Sequence, residues 1–144
     1  MSLSGVYDDG NIFAKIIRGE APCAKLYEDE DVIAFLDLFP QSRGHTLVIP
    51  KAARARNILD IDPDGLCRLI RGVQHVVKGL EAALKPDGLV VTQFNGAPAG
   101  QTVFHLHFHV VPRYEGVVLA GHGGAAMADP AELAVMAKEI SKAM

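Results

Sequence analysis

The chain has 144 residues, of which 49% are hydrophobic, and its 14 basic and 17 acidic residues give a formal net charge of −3. These values predict one globular domain over residues 1–144 and argue against a nucleic-acid-binding protein with a broad basic face. Residues 1–10 lack the apolar stretch of a signal peptide, and no apolar run approaches the roughly 20 residues that cross a bilayer. The two cysteines form no paired motif. We therefore expect a cytoplasmic protein without membrane contact.

The first half of the chain predicts a short helix followed by three strands. Phe13, Ile16 and Ile17 share one face of a helix over residues 11–18, and Gly19 follows as a stop signal. Residues 25–28 and 31–37 are predicted to form a hairpin, and residues 46–49 a short β-branched strand that ends at Pro50.

The second half begins with a long helix. Asp62 is its predicted N-cap and Pro63 its first residue. Apolar residues then recur at spacings of three and four and predict one buried stripe: Leu66, Leu69, Ile70, Val73, Val76, Val77, Leu80 and Leu84. A strand over 89–94, a turn over 95–100, the segment 105–113, a Gly- and Ala-rich loop over 114–128 and a helix over 129–141 follow. The strands form antiparallel-looking groups with few helices between them, which favours an α+β fold.

Three histidines alternate with apolar residues at positions 105, 107 and 109. In a strand, successive side chains point to opposite faces. Residues 105–113 are therefore predicted to form a strand with His105, His107 and His109 on one face and Leu106 and Phe108 on the other. A cluster of titratable rings is an unusual core element, and it indicates a reaction centre rather than a solvated strand face.

Two chemistries suit this cluster equally well on spacing alone. A neutral imidazole has one nitrogen lone pair that can attack phosphorus, and neighbouring N–H donors can stabilise the charge or protonate a leaving group. The same rings are also common metal ligands, although no HExxH or CxxC motif accompanies them here.

Polar residues near the cluster favour phosphate. Asn95 and Gly96 form a predicted turn before the histidines, and Gln101 and Thr102 add an amide and a hydroxyl next to them. A fourth histidine, His45, precedes the strand over residues 46–49. Taken alone, the Asn95-Gly96 pair is more simply interpreted as a turn, and His45 as an exposed loop histidine.

Together these motifs resemble the histidine triad (HIT) superfamily, and most closely its Hint-like branch and the bacterial HIT proteins. The resemblance covers about residues 11–114 and leaves the loop and helix of residues 115–144 outside. The matching blocks, in chain order, are residues 12–17 (IFAKII), 27–30 (YEDE), 34–37 (AFLD), 44–51 (GHTLVIPK), 95–96 (NG), 100–104 (GQTVF) and 105–111 (HLHFHVV).

The resemblance implies a five-stranded antiparallel sheet with one long central helix and short terminal helices, joined into a ten-stranded sheet across a homodimer. It also implies a purine nucleotide-binding hydrolase or transferase that acts at the α-phosphate, releases AMP or GMP from phosphoramidates or related substrates, and needs no cofactor.

The resemblance also implies roles for single residues. His107 would be the nucleophile that takes up the nucleotidyl group, and His109 would contact the phosphate and the scissile oxygen. His105 and His45 would orient or polarise the central ring. The implied substrate-binding residues are Asn95, Gln101 and Thr102 for the phosphate or leaving group, Asp37 for the ribose, and Phe13, Ile17 and Leu36 for the base, although these three apolar residues also suit a core.

Two departures from the family pattern affect these expectations. Some bacterial relatives carry a zinc site made of two cysteines and a histidine, and here the corresponding positions are Asn11, Ala14 and Ala53. The sequence therefore predicts no zinc of that type. Some relatives place a tryptophan near the site after residue 113, whereas this chain has no tryptophan and carries Tyr114 and His122 in that region.

Three functional alternatives therefore stand beside the nucleotidyl hydrolase. One is a nucleotide-binding interaction or regulatory protein whose catalysis is incidental. Another is a hydrolase of dinucleoside polyphosphates, and a third is a metal enzyme that uses the three alternating histidines as ligands.

Overall fold

The computed structural model describes residues 3–144. Residues 1 and 2, with which the predicted domain begins, lie outside the described residues. The elements in chain order are α1 (Ile12–Ile17), β1 (Lys25–Glu28), β2 (Val32–Leu36), β3 (Thr46–Pro50), α2 (Pro63–Leu84), β4 (Gly88–Thr92), a 3₁₀ helix (Ala97–Ala99), β5 (Phe108–Arg113) and α3 (Pro130–Ser141). None of the helices within residues 3–144 combines the length and the hydropathy that crossing a membrane requires.

All five strands form one antiparallel sheet in the order β1-β2-β3-β5-β4. Ala34 of β2 lies opposite Val48 of β3, and Leu47 of β3 lies opposite His109 of β5. This arrangement confirms the predicted α+β class with a five-stranded sheet and one long central helix. It also places β3 and β5, which flank the histidines, side by side at the centre of the sheet.

The two faces of the sheet carry different layers. Helices α2 and α3 cover one face, where side chains such as Val48, Leu106 and Val110 are buried. Gly72 lets α2 approach closely, because a Cβ atom there would lie 2.7 Å from Val32 Cγ2. The other face carries a smaller apolar cluster around Phe13 of the short helix α1. The histidines lie on this thinner side, where the chain leaves room for a ligand.

The predicted strand over residues 105–113 is too long, because β5 begins only at Phe108. The ladder between β3 and β5 ends at the pair Val48 and Phe108. Beyond it Pro50 has no N–H to donate, and the N–H of Leu106 instead donates to Ala55 O at 2.9 Å. His105 and His107 therefore lie in an extended segment before the strand, although their alternation with buried Leu106 persists.

Two smaller predictions are also wrong. Strand β4 ends at Thr92, where its ladder with β5 ends, rather than at residue 94, and the side chain of the next residue, Gln93, donates forward to Phe94 O and Asn95 Oδ1. Ile70, predicted to belong to the buried stripe of α2, is 45% exposed because it lies on the flank of the helix that faces away from the sheet.

Candidate active site

Four histidine rings converge on the thinner face of the sheet. His45 immediately precedes β3, where Gly44 takes a φ of 88° and a side chain would collide with Leu84. The ring of His109 lies 5.2 Å from that of His45 and 5.0 Å from that of His107. All four rings, including His105, are at most 6% exposed. The fold therefore brings together the four histidines that the sequence predicted to act together.

Backbone carbonyls determine the tautomers of His105 and His107. His105 Nε2 lies 3.1 Å from Pro50 O, and His107 Nδ1 lies 2.6 Å from His105 O. A carbonyl oxygen only accepts, so His105 carries its proton on Nε2 and His107 carries its proton on Nδ1. The Nε2 atom of His107 is thus left with a free lone pair.

A second chain of hydrogen bonds orients His45 and His109. The N–H of Gln41 donates to His45 Nδ1 at 3.0 Å, so the proton of the neutral His45 ring sits on Nε2. This Nε2–H donates to His109 Nδ1 at 3.0 Å, with Asp37 Oδ2 at 3.4 Å. His109 therefore holds its proton on Nε2, a buried atom without a hydrogen-bond partner among residues 3–144. An unpaired buried donor is costly, so this N–H is available to an acceptor that enters the site.

Burial keeps all four rings neutral. It lowers the pKa of His45, His105 and His107 from 6.5 to about 4 and that of His109 to about 3, with the positive potential of neighbouring histidines acting in the same direction. Near neutral pH the lone pair of His107 is consequently available at nearly every molecule. The same burial raises the pKa of the Asp37 carboxyl.

A cleft of about 760 Å³ opens beside these rings and is lined by α1, β2 and the start of α3. Its walls are mostly apolar, with contributions from Ile12, Phe13, Ile16, Leu36, Phe39 and Leu47. Asp37, His45, His107 and His109 supply polar groups to the lining. This combination of an apolar wall with a few convergent polar groups is typical of a small-molecule site.

The structure separates the predicted site residues into two groups. The cleft is lined by Phe13, Leu36, Asp37, His45, Thr102, His107 and His109, whereas His105, Ile17, Asn95 and Gln101 do not line it. Ile17 packs into the apolar cluster under α1. Gln101 uses its whole amide on the backbone, because Nε2 donates to Arg56 O and Val103 O while Oε1 accepts from Gly96 N. Asn95 Oδ1 likewise accepts from Ile58 N.

Comparison with known proteins decides the family. The family model described as the HIT domain matches residues 18–116. The chain belongs to the HIT family. An uncharacterised HIT-like protein of Methanocaldococcus jannaschii is 50% identical over 105 residues, which cover 73% of this chain and 80% of that protein. The crystal structure of a Hit-like protein from Bartonella henselae superposes with a TM-score of 0.87 at 47% identity, over 96% of this chain and 100% of that one.

One HIT relative carries a named activity. Adenylylsulfatase HINT3 of Arabidopsis thaliana is 39% identical over 104 residues, which cover 72% of this chain and 52% of that protein. As a HIT protein, the chain belongs to a superfamily of nucleotide-binding hydrolases and transferases.

The donor set of this HIT site suits hydrogen bonding better than metal binding. Asp37, His45 and His109 offer donor atoms within 4.8 Å of one another, close enough to surround a cation. A metal on His45 Nε2 requires the ring proton on Nδ1. That position already accepts from the N–H of Gln41, which cannot accept a proton in return. The alternative that makes the three alternating histidines ligands meets the same difficulty, since both nitrogens of His105 are already hydrogen-bonded.

Two groups at this HIT site, the N–H of Gln41 and Tyr7, escaped the sequence analysis, and His122 was named there without a role. The backbone N–H of Gln41 has no residue-type signal, because any residue except proline supplies it. The side chain of His122, from the loop after β5, packs 5.2 Å from the ring of His109 and donates to Gly100 O at 2.6 Å. Tyr7 contacts His105 and lies before the residues that match the family model.

Proposed function

We propose that this HIT protein hydrolyses purine nucleoside phosphoramidates, or related nucleotidyl substrates, at the α-phosphate through a covalent nucleotidyl-histidine on His107. The observation that carries the proposal is the matched pair of tautomers. His107 offers a lone pair on Nε2, and His109, whose ring centroid is 5.0 Å away, offers an unpartnered N–H. A nucleophile beside a proton donor is what displacement at phosphorus requires.

The proposed reaction has two balanced halves. In the first, His107 Nε2 bonds to the α-phosphorus, the bond from phosphorus to the amine nitrogen breaks, and that nitrogen takes the proton from His109 Nε2. In the second, a water oxygen bonds to phosphorus, the bond to His107 breaks, and a water proton returns to His109 Nε2. The N–H of His45, directed at His109 Nδ1, stabilises the negative charge that builds on His109 between the two halves.

The rest of the cleft supports a nucleotide. Phe13 and Leu36 form apolar walls on which a purine can stack, and the Asp37 carboxyl can accept from ribose hydroxyls. We assign the direct phosphate contact to the exposed hydroxyl of Thr102. Asn95 and Gln101 then act indirectly, because their amides hold the loop between β4 and β5 in place.

The charge of the cleft favours a leaving group without phosphates. Among residues 3–144 no lysine or arginine side chain lines the cleft, so a polyphosphate chain would find no cationic partner there. We expect kcat/KM for adenosine 5′-monophosphoramidate to exceed that for diadenosine tetraphosphate by at least about a hundredfold, equivalent to about 3 kcal/mol. Parallel assays of both substrates at one ionic strength test this. Equal values would instead support a dinucleoside polyphosphate hydrolase.

A nucleotide-binding regulatory protein uses the same side chains and is the second candidate. The apolar walls of the cleft and the Asp37 carboxyl support binding whether or not chemistry follows. Calorimetry with AMP, together with turnover assays on phosphoramidates and acyl-adenylates, separates the two candidates. Binding without turnover of any substrate would favour the regulatory role.

We further propose that two copies pair through β4 into a ten-stranded sheet. Strand β4 is at the edge of the sheet, and Val90 and Val91 are 37% and 44% exposed on its two faces. An unpaired apolar edge invites strand pairing. Light scattering should give about twice the chain mass of 15.4 kDa, and Val91→Lys should shift the protein to monomer. Val135→Lys on α3, where the side chain is 65% exposed, is the matched control, and a monomeric wild type would contradict the proposal.

A further inference from the structure

The N-terminal segment of residues 3–10 contacts the histidine cluster through Tyr7, although it is outside the residues that match the HIT family model. Seven of its eight residues are exposed, and only Tyr7 is partly buried. Side chains from elsewhere in the chain hold its backbone in place: Arg18 donates to Asp9 O at 2.8 Å, and Asn57 donates to Leu3 O at 2.9 Å. Arg54 adds a two-pronged ion pair with the Asp9 carboxylate.

The segment anchored in this way contacts the histidine cluster through Tyr7 and His105. Tyr7 Oη lies 2.5 Å from His105 Nδ1, and the two rings meet edge to face with centroids 5.7 Å apart. The His105 proton sits on Nε2, where Pro50 O accepts it, so Nδ1 accepts and the tyrosine hydroxyl donates. Burial raises the pKa of Tyr7, which keeps the hydroxyl protonated and able to donate.

We propose that Tyr7 is a positioning residue for the nucleophile of the reaction proposed above, on which this inference rests. Its hydroxyl and Pro50 O hold the His105 ring from both nitrogens. The backbone carbonyl of His105 accepts from His107 Nδ1 at 2.6 Å and thereby orients the lone pair on His107 Nε2. Tyr7 thus acts on the direction of the attacking nitrogen of His107 through His105, and it does not touch the substrate.

The hydroxyl oxygen of Tyr7 distinguishes a positioning role from simple packing of its ring. Without the hydroxyl, His105 Nδ1 becomes a buried acceptor with no donor, and the ring is free to exchange its proton between the two nitrogens. The Nδ1–H tautomer gives up the bond to Pro50 O and loosens the segment that carries the His105 carbonyl. The tyrosine ring itself remains supported by Arg54, whose guanidinium lies 5.3 Å from the ring centroid.

Tyr7→Phe tests the proposal, because it removes the hydroxyl and keeps the ring. We expect kcat for adenosine 5′-monophosphoramidate to fall about tenfold while KM changes less than about twofold. Nitrogen-15 spectra of the histidine rings should show one fixed tautomer of His105 in the wild type and averaged ring nitrogens in the variant. Tyr27→Phe is the matched control, since its hydroxyl donates to Asp29 at 2.8 Å on the opposite face of the sheet.

The outcomes are separable. A lower kcat with averaged His105 signals, absent from Tyr27→Phe, supports the proposal. Unchanged kcat and unchanged His105 signals overturn it, as does an equal loss of kcat in the control. If the wild type turns over no nucleotide, the proposed function fails, while the ring spectra still decide on the Tyr7 contact: averaged signals support it and unchanged signals overturn it.

Discussion

Replacing His107 with alanine is expected to lower kcat for adenosine 5′-monophosphoramidate by at least about a thousandfold, because the proposed covalent route then has no attacking nitrogen. His107 is 6% exposed and lines the cleft beside His109. A single-turnover reaction of the wild type quenched at alkaline pH should leave the nucleotidyl group on the peptide that contains His107, as mass spectrometry will show. His107→Ala should give no such adduct.

The binding of AMP separates lost chemistry from lost structure. Because Phe13, Leu36 and Asp37 remain in place, the Kd of His107→Ala for AMP should stay within about tenfold of the wild-type value. His75→Ala is the matched control, since this histidine lies on α2, with its ring 4.3 Å from that of Tyr27 on the opposite face of the sheet. Wild-type turnover in His107→Ala would remove this residue as the nucleophile.

Acid is expected to destabilise the protein between pH 6.5 and about 4. Burial first, and neighbouring histidines second, lower the pKa of His45, His105 and His107 to about 4. In this pH range the unfolded chain binds protons at these rings and the folded chain does not, so the free energy of unfolding decreases as the pH falls. A single ring whose pKa drops from 6.5 to about 4 contributes about 3 kcal/mol of this loss.

Urea unfolding at a series of pH values measures this dependence. His45→Gln removes one titrating ring and should flatten the curve between pH 6.5 and 4. The raised pKa of Asp37 acts in the opposite direction and reduces the total effect. A free energy of unfolding that stays constant over this range would show that the four rings are not held neutral by burial.

The kcat/KM of the proposed reaction should also fall in acid, as His107 becomes protonated. The Nε2 lone pair of His107 is lost on protonation, and burial places its pKa at about 4. We therefore expect the acid limb of kcat/KM near pH 4 rather than near 6.5. Measurements limited to the range where the protein stays folded will separate this limb from acid unfolding.

The order and type of most elements follow from local patterns. Asn11, Asp62 and Asp129 cap the three helices as residue types that accept from backbone N–H groups. The spacing of apolar residues places α2 against the sheet, and its buried residues include Leu69, Val73 and Val76 as predicted. These features depend on neighbours in sequence, so the sequence alone determines them.

The extent of the histidine strand depends on a distant residue. Alternation at positions 105–109 is real, but whether an extended segment joins a sheet depends on the donors of its neighbour, here Pro50. Asn95 and Gln101 were expected to contact the phosphate but do not line the cleft. The reason is again a contact with residues distant in the sequence. The amides of Asn95 and Gln101 suit a phosphate by type, and only the folded loop shows that backbone groups engage both ends of the Gln101 amide and that Asn95 Oδ1 accepts from Ile58 N.

The sequence by itself determined that three imidazoles alternate with apolar residues, that a fourth precedes a strand, and that the motifs are those of the HIT family. Only the tertiary structure decided what each ring does, because a tautomer depends on the atom opposite each nitrogen. Those atoms are Pro50 O, His105 O and the N–H of Gln41, together with the hydroxyl of Tyr7. Most of them are backbone groups, which carry no residue-type signal until folding brings them to the rings.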